Sequence, residues 1–237
     1  MIAESVRRDM RVTTTSALRL LVFGRLAPAT FFAVLGYLQL LHLVAAVRAL
    51  SHPLVVTQVL SGPLPTGLYL LFCAIPVFIY VGRPAPRARD GRALPRVAGF
   101  TGTLMLLVVG VVPQGTRLYT PPPWLDATST AISIASLTLA VCGLLYLRRS
   151  LSIIPEARRL VTGGPYRFVR HPLYAAEILA ALAYVLVTPA LLAVVVLLPF
   201  VVVQLQRAGY EERLLTATYP RYREYAAATP RLVPFIW

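Results

Sequence analysis

A chain of 237 residues that is 57% hydrophobic, with a mean hydropathy of +0.70, is too apolar for a water-soluble domain of this size. It carries a net charge of +14 from 23 arginines and no lysine. Those arginines fall in short clusters between uncharged runs, a pattern that argues against a nucleic-acid-binding face and fits the cytosolic loops of a polytopic membrane protein.

In chain order, residues 1–18 place Arg7, Arg8 and Arg11 among Ser and Thr and predict a cytosolic tail with a short interfacial helix. No cleavable signal peptide is expected, because the apolar segment that follows is too long for one. Residues 26–47 hold no charge, and about 20 apolar residues cross the roughly 30 Å hydrocarbon layer. They form the first predicted span, with His42 as a structural or interfacial residue near its end. Residues 65–82 predict a second span, kinked at Pro76. Residues 83–96 are the most basic stretch and belong in the cytosol by the positive-inside rule. Residues 97–116 predict a third span, the Pro121-Pro122-Pro123-Trp124 loop an outside connection, and residues 127–147 a fourth span ending at Arg148-Arg149, inside again. Cys73 and Cys142 sit inside these spans with no His or second Cys nearby, so neither a disulfide nor a metal site is expected.

Four crossings return the chain to the cytosol at its one polar knot: Leu160-Val161-Thr162-Gly163-Gly164-Pro165-Tyr166-Arg167-Phe168-Val169-Arg170-His171-Pro172-Leu173-Tyr174, followed by Glu177. Two glycines and a proline predict a tight turn that exposes its backbone, and the arginines, histidine and tyrosines suit an anionic ligand. Residues 173–206 are apolar apart from Glu177. A continuous helix there would be about 50 Å long, more than one crossing and less than two. Thr188-Pro189 near its middle predicts a helical hairpin of two shortened segments, which brings the Arg- and Tyr-rich tail from Arg207 onward back to the side of the knot. The predicted fold is an all-α membrane bundle of about six spans with both termini cytosolic. Residues 1–150 serve as scaffold and acceptor cavity, and residues 151–237 as the catalytic region.

Gly164-Pro165-Tyr166-Arg167-Phe168-Val169-Arg170-His171-Pro172-Leu173-Tyr174 resembles the signature of the isoprenylcysteine carboxyl methyltransferase family. These are integral-membrane enzymes that use S-adenosylmethionine (SAM) and release S-adenosylhomocysteine. Arg207, Glu211-Glu212-Arg213, Tyr222, Tyr225 and Pro230-Arg231-Leu232-Val233-Pro234 fall at the spacings the family shows after its last span. The likeness covers roughly residues 155–237, and the first half is similar only in being helical and apolar. Tyr219-Pro220 and Thr229 depart from the commoner Phe-Gly and Val, on the side that shapes the acceptor site.

SAM presents a carboxylate, an ammonium, a ribose diol, an adenine and a sulfonium, so its site needs anion-binding groups, aromatic walls and a carboxylate. Arg170 and His171, helped by Tyr166, suit the methionine carboxylate. The turn at Gly163-Gly164 suits the nucleoside, with Val161 at its head, and Glu211 suits the ammonium or ribose. Tyr174 suits the sulfonium, which aromatic faces favour. The resemblance implies the same region in outline and makes Arg207 and Glu212 the catalytic candidates beside the acceptor. Arg207 and Glu211, four apart, also read as a plain helix ion pair, and Glu177 as either a cavity carboxylate or an arginine's partner.

The expected activity is methyl transfer from SAM to a lipophilic acceptor that enters from the bilayer, with a prenylcysteine carboxylate as the default head group. The expected location is a bacterial inner or plasma membrane, with the site facing the cytoplasm and no nucleic acid or metal involved. Membrane sterol and enone reductases, which resemble this family in their last helices but use NADPH, are the alternative enzyme class. A small permease or scaffold is the non-enzymatic one.

Overall fold

The computed structural model describes residues 21–111, 118–188 and 190–234. The expected N-terminal tail, residues 112–116 of the expected third span and Pro189 of the expected hairpin turn lie outside these residues.

The described chain is mostly helical. A π-helical turn, Val22–Leu26, leads into α1, Ala27–Arg48; α2, Val56–Ser61, precedes α3, Pro63–Gly82; then come α4, Ala93–Val111, and α5, Pro123–Leu147. α6, Pro172–Val187, is followed by α7, Leu191–Thr218, and the short α8, Tyr222–Ala228. α3, α5 and α6 each begin on a proline, whose fixed φ and missing N–H suit the first helical turn. Four helical segments are long and apolar enough to cross a membrane: Val22–Arg48, Val56–Gly82, Pro123–Ser150 and Leu191–Thr218. Large side chains such as Tyr37, Phe78 and Leu198 point outward from α1, α3 and α7 and are exposed, as a lipid-facing surface requires.

Two features differ from the sequence expectation. α7 continues three turns past Gln206, so Arg207, Glu211 and Glu212 stand on one helix with the apolar segment rather than in a separate tail. The helical spacing read for Arg207 and Glu211 thus lies on the same helix as the apolar run, and Pro199 is carried inside it. The basic connection after α3 is also structured. It forms a two-residue strand β1, Ala88–Arg89, paired antiparallel with β2, Glu156–Ala157.

The long helices form an arc in which α1 packs on α3, α3 on α5, α5 on α6, α6 on α7 and α7 on α4. Lipid tails are as apolar as leucine, so close approach through small residues holds such helices together. Ser129, Ser136, Ala140 and Gly143 of α5 and Ala176, Ala181 and Ala183 of α6 are buried accordingly, and Ser129 Oγ donates to the Ala183 carbonyl at 2.7 Å. Gly36 of α1 lies against Cys73 of α3, where an added Cβ would stand 3.6 Å from the Cys73 Cβ.

Candidate functional site

The turn before α6 takes its shape from Gly164. Its φ of +60° lies in the left-handed region, and a Cβ there would run into the Tyr146 ring of α5. A 3₁₀ turn, Gly164–Arg167, buries Tyr166, and the chain then extends through Arg170 and His171 to Pro172. That pair is clipped to the C-terminal segment: Arg170 N donates to the Pro230 carbonyl at 2.8 Å and His171 N to the Arg231 carbonyl at 3.0 Å. The Tyr225 hydroxyl donates to the Tyr166 carbonyl, and burial pushes its pKa up to about 12.

Side chains of α6 and α7 meet under this clip. His171 Nε2 donates to Glu212 Oε1 at 2.9 Å, Arg231 Nη2 is 3.2 Å from Glu212 Oε2, and Arg170 Nε is 3.5 Å from Oε1. The Tyr174 hydroxyl donates to Glu211 Oε2 at 3.1 Å, and its ring stacks on His171 with centroids 5.4 Å apart. Deeper along the helices, the guanidinium of Arg207 lies 4.8 Å over the Tyr174 ring. Its Nη1 donates to Gln204 Oε1 at 2.7 Å and stands 3.6 Å from Glu177 Oε2, while Gln204 Nε2 donates to that same Glu177 oxygen. Gly102 of α4 leaves room for Arg207: a Cβ there would be 2.7 Å from Arg207 Cδ.

A cavity joins these groups to an apolar chamber. Tyr166, His171, Tyr174, Glu177, Arg207 and Glu211 line its polar end, and Phe31, Phe32, Leu35, Tyr69 and Phe72 of α1 and α3 line the apolar end. Of the residues expected from sequence, Tyr166, His171, Tyr174, Arg207 and Glu211 therefore share one cavity. Val161, Gly164, Arg170 and Glu212 are outside its lining, the last two in the ion-pair cluster. Glu177 does both things the sequence left open, since it lines the cavity and pairs with an arginine.

The sequence reading missed Glu156. Its side chain is fully buried and lines the cavity. It accepts from Arg89 Nε at 2.7 Å, Arg158 Nη2 at 2.6 Å and Ser152 Oγ at 2.8 Å, with Arg83 Nη1 at 3.6 Å. Burial pushes the Glu156 carboxyl up, but Arg158, Arg83 and Arg89 outweigh it and hold the group below the usual carboxylate range. Arg83 also donates to the Leu151 and Gly24 carbonyls and Arg158 to that of Pro84, so the cluster around one carboxylate ties three chain segments together. The available signal was a lone acid between arginine clusters, which the positive-inside rule absorbs without a partner. The aromatic wall from α1 and α3 gave no signal, since aromatic residues in an apolar span look like any lipid-facing position.

Residues 130–222 match the phospholipid methyltransferase family, which includes the isoprenylcysteine methyltransferase-like membrane enzymes, and this bears out the resemblance read from the signature. The match holds His171, Tyr174, Glu177, Arg207, Glu211 and Glu212 and points to a membrane methyltransferase; the family generally uses SAM. The cobalt-zinc-cadmium resistance protein CzcN of Cupriavidus metallidurans is 31% identical over 112 residues, 47% of this chain and 51% of that protein. The nickel-cobalt-cadmium resistance protein NccN of Alcaligenes xylosoxydans xylosoxydans is 29% identical over 112 residues, 47% of this chain and 52% of that protein. The chain thus spans about half the length of the curated relatives it matches.

Proposed function

We propose, from the match of residues 130–222 to the phospholipid methyltransferase family, that the chain is a multi-pass membrane methyltransferase moving a methyl group from SAM to a lipophilic acceptor. The observation that carries this reading is the single cavity whose polar end comes from the matched helices α6 and α7 and whose apolar end comes from α1 and α3. A water-soluble donor and an acceptor with an apolar tail can meet in such a space, with the donor reaching it from a cytosolic face of a bacterial inner membrane.

The side chains present fit SAM. Glu211 offers a carboxylate, one-third exposed, to an ammonium or ribose. Tyr166 and Tyr174 offer aromatic walls to a sulfonium. Arg207 offers a buried guanidinium whose Nε has no hydrogen-bond partner among the described residues. Arg170 and His171 act together with Glu212, which fixes the imidazole so that its face and Nδ1 side serve the cavity. Val161 and Gly164 shape the turn that closes the nucleoside side. Bound SAM would supply an already activated methyl group. The protein's own work is then to exclude water, hold the acceptor in line and keep Arg207 between donor and acceptor. Residues 1–150 supply scaffold and acceptor walls, and residues 151–237 the catalytic region.

The test is calorimetric binding of SAM, S-adenosylhomocysteine and NADPH to the purified protein. Micromolar affinity for the two adenosyl ligands is expected, weakened about 10- to 100-fold in His171→Ala and Arg170→Ala, the scale of a lost charge-assisted hydrogen bond. Binding of NADPH alone would move the chain to the reductase class.

A further inference from the structure

The charges that line the cavity specify the acceptor's head group; this inference rests on the methyltransferase reading. Glu156 faces the cavity already neutralised by the arginines behind it. Glu212, with its three cationic neighbours, is outside the lining. What remains at the polar end is one arginine, Arg207, facing two carboxylates, Glu177 and Glu211, with His171 held by Glu212. Arg207 is 5% exposed, and Glu177 stands against it within a helix bundle. An acceptor carboxylate entering here would be desolvated beside two like charges, with Nη1 of the one guanidinium in the lining already engaged by Gln204 and Glu177.

Glu177 is also placed to act. It lies one turn beyond Tyr174 on α6, about 5 Å further along the helix from the signature, and lines the same cavity as the aromatic side chains of α1 and α3. Both of its contacts, from Gln204 and Arg207, fall on Oε2. Oε1 has no partner among the described residues. An ionisable group at membrane depth is costly unless it has a task.

We propose that Glu177 is the general base of the site and that the acceptor is a neutral protic nucleophile, a hydroxyl, thiol or amine, carried on an apolar tail. The acceptor's O, S or N forms the new bond to the methyl carbon as its proton passes to Glu177 Oε1. The electron pair of the breaking S–C bond stays on the donor sulfur, which becomes a neutral thioether. Arg207 and Gln204 hold the carboxylate in place and do not themselves exchange a proton. Glu211 remains with the donor, since it already accepts from Tyr174 on the cofactor side.

The experiment uses the full chain in nanodiscs with S-adenosylhomocysteine bound, and three probes of similar tail: nonylphenol, decanethiol and decanoate at pH 7.5. The wild-type protein is expected to bind the phenol and thiol at least about tenfold tighter than decanoate, a difference of about 1.4 kcal/mol. With SAM it should methylate the first two. Glu177→Gln should lower turnover of nonylphenol by about 10²- to 10⁴-fold, the usual scale of general-base loss. It should keep S-adenosylhomocysteine affinity within about twofold and gain affinity for decanoate. Glu177→Asp should recover part of the turnover. Preference of the wild type for decanoate, undiminished phenol turnover in Glu177→Gln, or no binding or methylation of either protic probe by protein that binds S-adenosylhomocysteine would each overturn the proposal. Absence of S-adenosylhomocysteine binding in the wild type would instead remove the methyltransferase reading itself.

Discussion

Gly164 and Gly102 lack a side chain for different reasons. Gly164 adopts a left-handed backbone and abuts Tyr146, so Gly164→Ala should cost about 1–2 kcal/mol from backbone strain alone, read as a lower melting temperature together with weaker S-adenosylhomocysteine binding. Gly102 sits in an ordinary helix, and an added methyl meets the side chains of Arg207 and Gln204. Gly102→Ala should therefore keep the fold and cofactor affinity and lower kcat, because the displaced guanidinium no longer holds Glu177; an unchanged kcat would detach Arg207 from turnover. The Gly163-Gly164 turn was legible in the sequence because glycine followed by proline leaves few conformations open. Gly102 was not, because the residue it accommodates lies 105 positions away and helical periodicity carries no information about a partner that distant. The side of His171 that faces Glu212 was likewise hidden: the residues were visible as chemistry, while their mutual neutralisation is a property of how α6 and α7 pack.

At the scale of elements, the connection between α3 and α4 and the segment before the signature act as one unit through β1, β2 and Glu156. Removing a buried ion's partner costs about 3–5 kcal/mol because the remaining charges are left unpaired. Glu156→Gln should accordingly destabilise the protein strongly at neutral pH, with three arginines around a neutral amide. The folded pKa of Glu156 is depressed, so its stabilisation is complete above the ordinary glutamate value of about 4.3 and is lost as pH falls through and below it. The wild type should melt at progressively lower temperature on acidification through that range, and Glu156→Gln should show a shallower dependence. Equal slopes would mean that other carboxylates control acid stability. The apolar runs that became α1, α3 and α5 were readable to within a few residues because length and lack of charge suffice for a helix in lipid. The extension of α7 was legible only in part: the four-residue spacing of Arg207 and Glu211 suits a helix, but charges at a membrane edge do not say where it ends.

Across the whole molecule, one end of the bundle gathers the start of α1, the end of α3, the β1–β2 pair and the clip between the signature and Pro230-Arg231. The opposite end holds the approach to α5, where the Tyr119 hydroxyl donates to the Leu186 carbonyl at 3.0 Å. Single cysteines at Arg87 and Arg221 should therefore react with an impermeant maleimide from the same face of sealed vesicles and one at Tyr119 from the other, in a Cys73→Ala, Cys142→Ala background; labelling of Arg87 and Arg221 from opposite faces would contradict this arrangement. The arginine clusters argue for a parity of crossings that this labelling tests, whereas the meeting of α1 with the signature end depends on Arg83 reaching the Gly24 carbonyl. The 16 residues of α6 have a further consequence. At 1.5 Å per residue they extend about 24 Å, some 6 Å less than a typical hydrocarbon layer. If so short a helix crosses the bilayer, the lipid layer must thin around the residues that carry Glu177, and reconstitution into short-chain lipids should then favour activity over long-chain ones; equal activity in both would separate α6 from the lipid thickness.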